Sequence, residues 1–215
     1  MQHALGRIKP AGLTHRKLAA LIAAHVLFGF ANALLRLSGQ GNDPATAMVL
    51  AVGGRVGMPL STMSLIVYGL CFLVQIRADR SLVGVGTFVN WVSVGILTDA
   101  CYGLYTRTFT LPDALPWRLA AALVSILMFS LAASLYQTAA LGVSPYDSLS
   151  IALSRRTRLP YTACRILTDT ACVAVCAAFG GVLGVGTLIC AVGLGPIISF
   201  FDRHVSRQFI GAADI

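Results

Sequence analysis

Arg165 and Asp169 stand four residues apart in a stretch that otherwise carries no charge between Arg158 and Asp202. On a helix that spacing brings the two side chains together. In apolar surroundings the pair is either a self-neutralising helix contact or a polar site facing a cavity, and both readings stay open. His25, Asn32 and Arg36 fall near one helix face at i, i+7 and i+11, as the lining of a pathway would. The plainer reading makes His25 a packing residue. Asp99 lies deep in another apolar run, where a carboxyl group can carry a proton.

Two further carboxylates sit beside prolines. Asp147 follows Pro145 by two residues, while Asn42 and Asp43 directly precede Pro44. Proline is favoured at a first helical position, because its missing N–H would be unpaired there anyway. The neighbouring carboxylates then cap free N–H groups, or they help to hold a polar solute at the end of a broken helix. Cys172 and Cys176, at i, i+4, offer a seat for a soft metal. With no nearby histidine and no further paired thiols, the six cysteines read as small buried hydrophobes, and no metal or cofactor is expected.

The elements that hold these residues announce themselves through a repeat. The phrase Gly84-Val85-Gly86-Thr87 returns as Gly184-Val185-Gly186-Thr187. A shift of 101 residues lays Lys17-Leu18-Ala19-Ala20 on Arg118-Leu119-Ala120-Ala121, Gly41 on Gly142, Pro44 on Pro145 and Pro59 on Pro160. One residue of slippage then aligns the two GVGT phrases. The chain is therefore read as two copies of one unit. Arg165 and Asp169 fall on Ser64 and Tyr68 of the first unit, so the charged chemistry is not copied.

Each unit contains a long apolar helix (17–38 and 117–139) and a short proline-led helix (44–55 and 145–156). A second long helix follows (59–76 and 160–179), and then one that opens at GVGT (86–103 and 186–203). The expected organisation is a basic N-terminal tail at 1–16, a first unit at 17–107, a linker at 108–116, a second unit at 117–205 and a C-terminal tail at 206–215. Gly84, Gly86, Gly184 and Gly186 let helices start tightly and approach closely. Alternatively, with Thr87 and Thr187 they expose N–H groups and a hydroxyl at a helix N-terminus, which attract anions.

Of the 215 residues, 57% are hydrophobic and only 11% charged, and mean hydropathy is +0.80. Soluble domains carry roughly a quarter charged residues, whereas a bilayer span needs about 20 apolar ones. The fold class is an all-α polytopic membrane protein. The net charge of +8 suggests nucleic acid only until its placement is considered. Basic residues cluster at the ends of apolar runs, as in Arg16 with Lys17, Arg77 with Arg80, Arg155 with Arg156 and Arg158, and Arg203 with Arg207. That is the positive-inside pattern of a membrane protein. The partners expected are a lipid bilayer and an unidentified small solute, with no nucleic acid and with a homo-oligomer left open.

Twelve helical residues extend only about 18 Å, short of a hydrocarbon core of about 30 Å. If the proline-led helices do not cross, each unit has three spans and the two units are inverted; crossing would give eight spans, and segment length favours six. Positive-inside then sets both termini in the cytoplasm of a bacterial inner membrane. The apolar run before Ala31-Asn32-Ala33 imitates a signal peptide, but its counterpart in the second unit argues that it is a retained helix.

The phrase GVSPYDSLSIALSRRT, followed by a helix and then GVGTLICAVGLGPIISFFD, resembles the YczE/YitT-like family of bacterial integral membrane proteins. That family repeats a G-x-x-P-x-D phrase, a short helix and a G-x-G-T phrase, and the resemblance covers residues 15–205. In the first unit Thr46 stands where the phrase has Asp, and Asp43 precedes the proline instead. The resemblance implies a compact multi-span helical protein.

Inverted repeats with broken helices and polar groups near midplane are the design of secondary transporters. A permease for a small solute is the leading expectation. A passive channel and a non-transporting accessory, sensor or assembly protein are the alternatives. An enzyme is not expected, since the chain has no HExxH, no GxSxG, no glutamate and only four scattered histidines.

Overall fold

The computed structural model describes residues 14–211. Arg7 and Lys9 of the basic tail, and residues 212–215, lie outside the described residues. The chain forms helices α1 (His15–Ser38), α2 (Pro44–Val56), α3 (Leu60–Ala78), α4 (Val85–Thr108), α5 (Leu115–Ala139), α6 (Pro145–Arg156), α7 (Tyr161–Ala178) and α8 (Val185–Phe201). A π-helical turn at Asp202–Ser206 carries α8 on into a last turn, α9 (Arg207–Ile210). No strand occurs among the described residues.

Five helical stretches are long and apolar enough to cross a membrane: His15–Ser38, Leu60–Ala78, Leu115–Ala139, Tyr161–Ala178 and Val185–Ile210. The sequence led us to expect six. The sixth candidate, α4, has 24 residues, which is ample length, but it falls short in apolar character. Asn90, Thr98 and Asp99 interrupt it, and the buried residues of α4 include Asn90 and Thr98. The helix also runs five residues past the expected end at Gly103, which shortens the connection to α5. The segment expected as a C-terminal tail is likewise helical as far as Ile210. That side chain is fully buried among Ala20, Leu21 and Ala24 of α1.

The two short helices form for local reasons. Asp43 caps α2 by accepting from the Thr46 N–H at 3.2 Å, Pro44 occupies the first turn, and Gly57 ends the helix in a left-handed conformation. Ser144 caps α6 by accepting from the Asp147 N–H at 3.1 Å, with Pro145 next in the chain. The cap expected from Asp147 is thus supplied by Ser144, which leaves the Asp147 carboxylate free for other work. Thirteen residues make α2 about 20 Å long at 1.5 Å each.

The longest packing contact joins α1 to α5 through Ala20, Ala24, Ala132, Ala133 and Ala139, with Phe28 edge-on to Phe129 at 5.0 Å between centroids. Small residues let the two backbones approach closely, and in lipid that close packing is what holds helices together. Two crossing loops tie the ends of this pair to the helices that start at GVGT. At one end Gly86 N–H donates to the Leu141 carbonyl at 2.8 Å. At the other, Gly186 N–H donates to the Gln40 carbonyl at 2.9 Å. Lys17, Arg77, Arg80, Arg155, Arg203 and Arg207 all lie towards the first of these ends, called here the basic end. Contacts between Asp79 and Arg155 and between Thr138 and Asp202 tie their helix termini together there, where Ile210 and Leu21 share one core cluster.

The loop crossings demand glycine. A Cβ on Gly84 would overlap the Leu141 carbonyl, so the backbone itself would have to move. Gly103, in the same helix, has open space where a Cβ would go. Gly84→Ala should therefore lower stability by about 1–3 kcal/mol, as overpacking does. Gly103→Ala should be neutral or gain up to about 1 kcal/mol from helix propensity. Thermal denaturation in detergent micelles compares the two, and equal behaviour would refute the crossing as a tight constraint.

Candidate functional site

Arg165 is the hub of the polar interior. Its Nη1 is ion-paired with Asp147 of α6, and its Nε donates to Asp169 Oδ2 at 3.2 Å, one turn along α7. The guanidinium also lies over the Tyr146 ring, 5.1 Å from the centroid. Tyr146 in turn donates from its hydroxyl to Asp169 Oδ1 at 2.6 Å and accepts from Cys172 Sγ at 3.5 Å. Both Asp169 oxygens are thus occupied by charged or short hydrogen bonds, which are the strong kind. The Asp169 side chain is only 8% exposed, against 30% for Arg165 and Asp147.

The N-terminal ends of α2 and α6 converge on this cluster. Ala45 from the first turn of α2 and Tyr146 from the first turn of α6 share one core cluster with Tyr68 and Cys172. Asp43 lies near enough to Asp169 and Arg165 to feel both charges, and its Oδ1 accepts from the Thr46 N–H. Asp43 Oδ2 is buried without a hydrogen-bond partner among the described residues. The centre therefore gathers three carboxylates, one guanidinium, two tyrosines and two helix N-termini, whose partial positive charge favours carboxylates.

The other residues singled out in the sequence lie elsewhere or play structural parts. Asp99 does not join the cluster. It pairs with Arg36 at 3.1 Å and accepts from the Ser61 N–H at 2.7 Å, which satisfies the start of α3. Arg36 also stacks over Tyr102 at 4.0 Å. His25 is fixed by a 2.7 Å bond between Nδ1 and the Leu21 carbonyl and sits edge-on to Tyr136 at 5.4 Å. Its Nε2 has no hydrogen-bond partner among the described residues. Asn42 donates through Nδ2 to the Asn32 carbonyl at 3.1 Å, which folds the loop after α1 back along that helix. Gly86 and Gly186 spend their N–H groups on the crossing carbonyls. Cys172 and Cys176 fall in different clusters, the latter against Ala47 and Ala51.

A cavity of about 430 Å³ opens at the end opposite the basic one, between the end of α1, helix α2 and the turn after α7. Arg36, Asn42, Leu50, Arg55, Phe179 and Val182 are among its walls. Sequence reasoning missed Tyr146 and Gln75. Tyr146 stands between Pro145 and Asp147, and Gln75 is a lone amide in an apolar run. The rule that polar groups inside a membrane are expensive would have flagged both.

Residues 15–203 match a family described as "Family of unknown function (DUF6198)". The chain belongs to this family. The YczE/YitT resemblance rests on the sequence phrases, and the family description does not carry that name. The chain is also similar to a Haemophilus influenzae protein described as an uncharacterized protein. The two are 25% identical over 193 residues, 90% of this chain and 86% of that protein. No solved structure matches. With five stretches able to cross a membrane, the chain has the character of a multi-pass integral membrane protein.

The hub geometry ranks three variants. Arg165→Gln strands two carboxylates at once and should cost about 3–5 kcal/mol. Asp147→Asn leaves Arg165 paired with Asp169 and should cost about 1–3 kcal/mol. The triple variant Arg165→Gln, Asp147→Asn, Asp169→Asn should recover most of the loss, because no charge is left alone. Denaturation midpoints in detergent order them, and a triple variant as unstable as Arg165→Gln would show that the charges are not coupled.

Proposed function

We propose that this protein is a secondary transporter for a small polar solute, working by alternating access between two inverted units in a bacterial inner membrane. The observation that carries this reading is the meeting of the two proline-led helix starts at the Arg165, Asp147 and Asp169 cluster. Broken helices whose N-termini face a buried polar centre are the transporter arrangement. A purely architectural ion pair needs neither the short helices nor the unpartnered oxygen of Asp43.

Further support comes from the direction of the helices and from charge. The contacts at the two ends have α1, α3 and α4 running away from, towards and away from the basic end. Helices α5, α7 and α8 run in the reverse senses, as the 101-residue repeat of the sequence requires if each unit has three spans. Arg77, Arg80, Arg155, Arg156, Arg158, Arg203 and Arg207 then face the cytoplasm, against Arg36, Arg55, Arg107 and Arg118 outside. In this reading α4 crosses despite its polarity, because Asp99 is neutralised by Arg36 inside the bundle.

Two measurements test the proposal. Cysteines introduced singly at Ser81 and Thr108 of a cysteine-free protein should react with impermeant reagents from opposite faces of the membrane. Reaction of both from one face would remove α4 as a span and with it the inversion. In proteoliposomes, a saturable flux of some component of a metabolite mixture should appear and should fall at least tenfold in Asp147→Asn with expression unchanged. A flux that does not saturate would indicate a channel. No flux for any solute would favour the accessory, sensor or assembly alternative.

A further inference from the structure

The two loop crossings are counterparts in the sequence, yet they are bonded very differently. At the basic end the segment 141–143 lies against the start of α4. Gly86 N–H donates to the Leu141 carbonyl at 2.8 Å, and Val143 N–H donates to the Leu82 carbonyl at 2.9 Å. The Thr87 hydroxyl donates to the Val143 carbonyl at 2.9 Å and accepts from Gly84 N–H at 3.1 Å. Gln75 Nε2 donates to both the Leu82 and Val143 carbonyls at 3.2 Å. Just beyond, Arg155 at the end of α6 is ion-paired with Asp79 at the end of α3.

At the opposite end the segment 40–42 lies against the start of α8, and one bond of this set survives, from Gly186 N–H to the Gln40 carbonyl. The Thr187 hydroxyl, counterpart of Thr87, is buried at 4% exposure and has no hydrogen-bond partner among the described residues. Cys176 stands in the register of Gln75 and offers no amide. In the same register Arg155 falls on Gly54 and Asp79 on Gly180. Both glycines line the 430 Å³ cavity, so the cavity occupies the place where an ion pair closes the other end.

We propose that Gln75, Thr87 and the Asp79–Arg155 pair form a shut gate at the basic end, and that the cavity beside Gly54 and Gly180 is the open entrance. The inference deepens the transporter reading and rests on it, since it states from which end the Arg165 cluster is reached. The gate works because buried carbonyls must be hydrogen-bonded. Gln75 and Thr87 satisfy the Val143 carbonyl, and the Val143 and Gly86 N–H groups find the Leu82 and Leu141 carbonyls, only while the segment 141–143 stays seated. Unseating it strands several polar groups at once, so the gate has two states rather than a gradual opening. The unpartnered Thr187 shows that the other crossing is already partly undone.

Thiol labelling tests the gate without any flux measurement. Leu50 lines the cavity, and its counterpart Ile151 is buried. In a cysteine-free protein, Leu50→Cys should react with a water-soluble maleimide at least tenfold faster than Ile151→Cys. Gln75→Ala should raise the Ile151→Cys rate at least tenfold, and Thr87→Val should do the same. Equal rates for the two cysteines, or a rate at Ile151→Cys that neither variant changes, would overturn the proposal. Should the cysteine-free protein fold poorly, amide hydrogen exchange on the native chain decides the matter. Residues 82–87 and 141–143 should exchange at least tenfold more slowly than 182–187 and 40–42, and equal exchange would overturn the gate. Labelling as expected with no solute flux would refute the transporter reading and leave the gate geometry standing.

Discussion

A guanidinium carried into a low-dielectric interior must bring its counter-charges with it, because a stranded buried charge costs several kcal/mol. Arg165 takes one carboxylate from its own helix and one from α6, and it lies over the Tyr146 ring. That requirement fixes more than one residue. It sets the rotation of α7, so that Asp169 faces α6, and it sets the depth of α6, whose first turn must reach Arg165. Ser144 makes this arrangement workable by taking over the cap, since a carboxylate engaged in capping α6 could not also pair with Arg165.

The second half of the centre obeys a different constraint. Asp43 caps α2 and its other oxygen is unpartnered, so α2 is placed by packing and by its cap, not by a counter-ion. The N-terminus of α2 still reaches the cluster because Asn42 folds the preceding loop back onto α1. A helix whose start lies partway down its neighbour can end near the same surface it came from. The geometry of a half-helix follows from a sharp return after α1, which Gly41 allows with a φ of +82°.

Much of this arrangement could be read from residue order. The apolar runs, the prolines at 44 and 145 and the repeated GVGT located the helices, because each signal acts within a few residues of itself. The spacing of Arg165 and Asp169 placed them on one helix face for the same reason. What escaped were partners distant in the chain. Nothing local indicated that Asp99 answers to Arg36, that Asp147 faces Arg165 and not its own helix end, or that Gln75 reaches two carbonyls in different loops. The extent of α4 also escaped. Its polar residues weaken the membrane signal in the sequence, and the partners that satisfy them appear only in the fold.

The sequence repeats the glycines of its loop crossings, with Gly41, Gly84 and Gly86 returning as Gly142, Gly184 and Gly186, and repeats few of its charges; the energetics of a membrane interior account for the difference. Two helices that cross at a carbonyl leave no room for a Cβ on either copy, so Gly84 and Gly184 are held by the same steric limit. Charges obey the reverse logic, since every additional ion inside the bilayer must be neutralised at a further cost. One guanidinium with its carboxylates is enough to make a polar centre. In the first unit Ser64 and Tyr68 occupy the corresponding places and cost far less to bury. Ser64 hydrogen-bonds to the Ser61 carbonyl at 3.0 Å and Tyr68 packs into the shared core. Only one of the two sequence repeats therefore carries the ionic chemistry, and one loop crossing holds several hydrogen bonds where the other holds one.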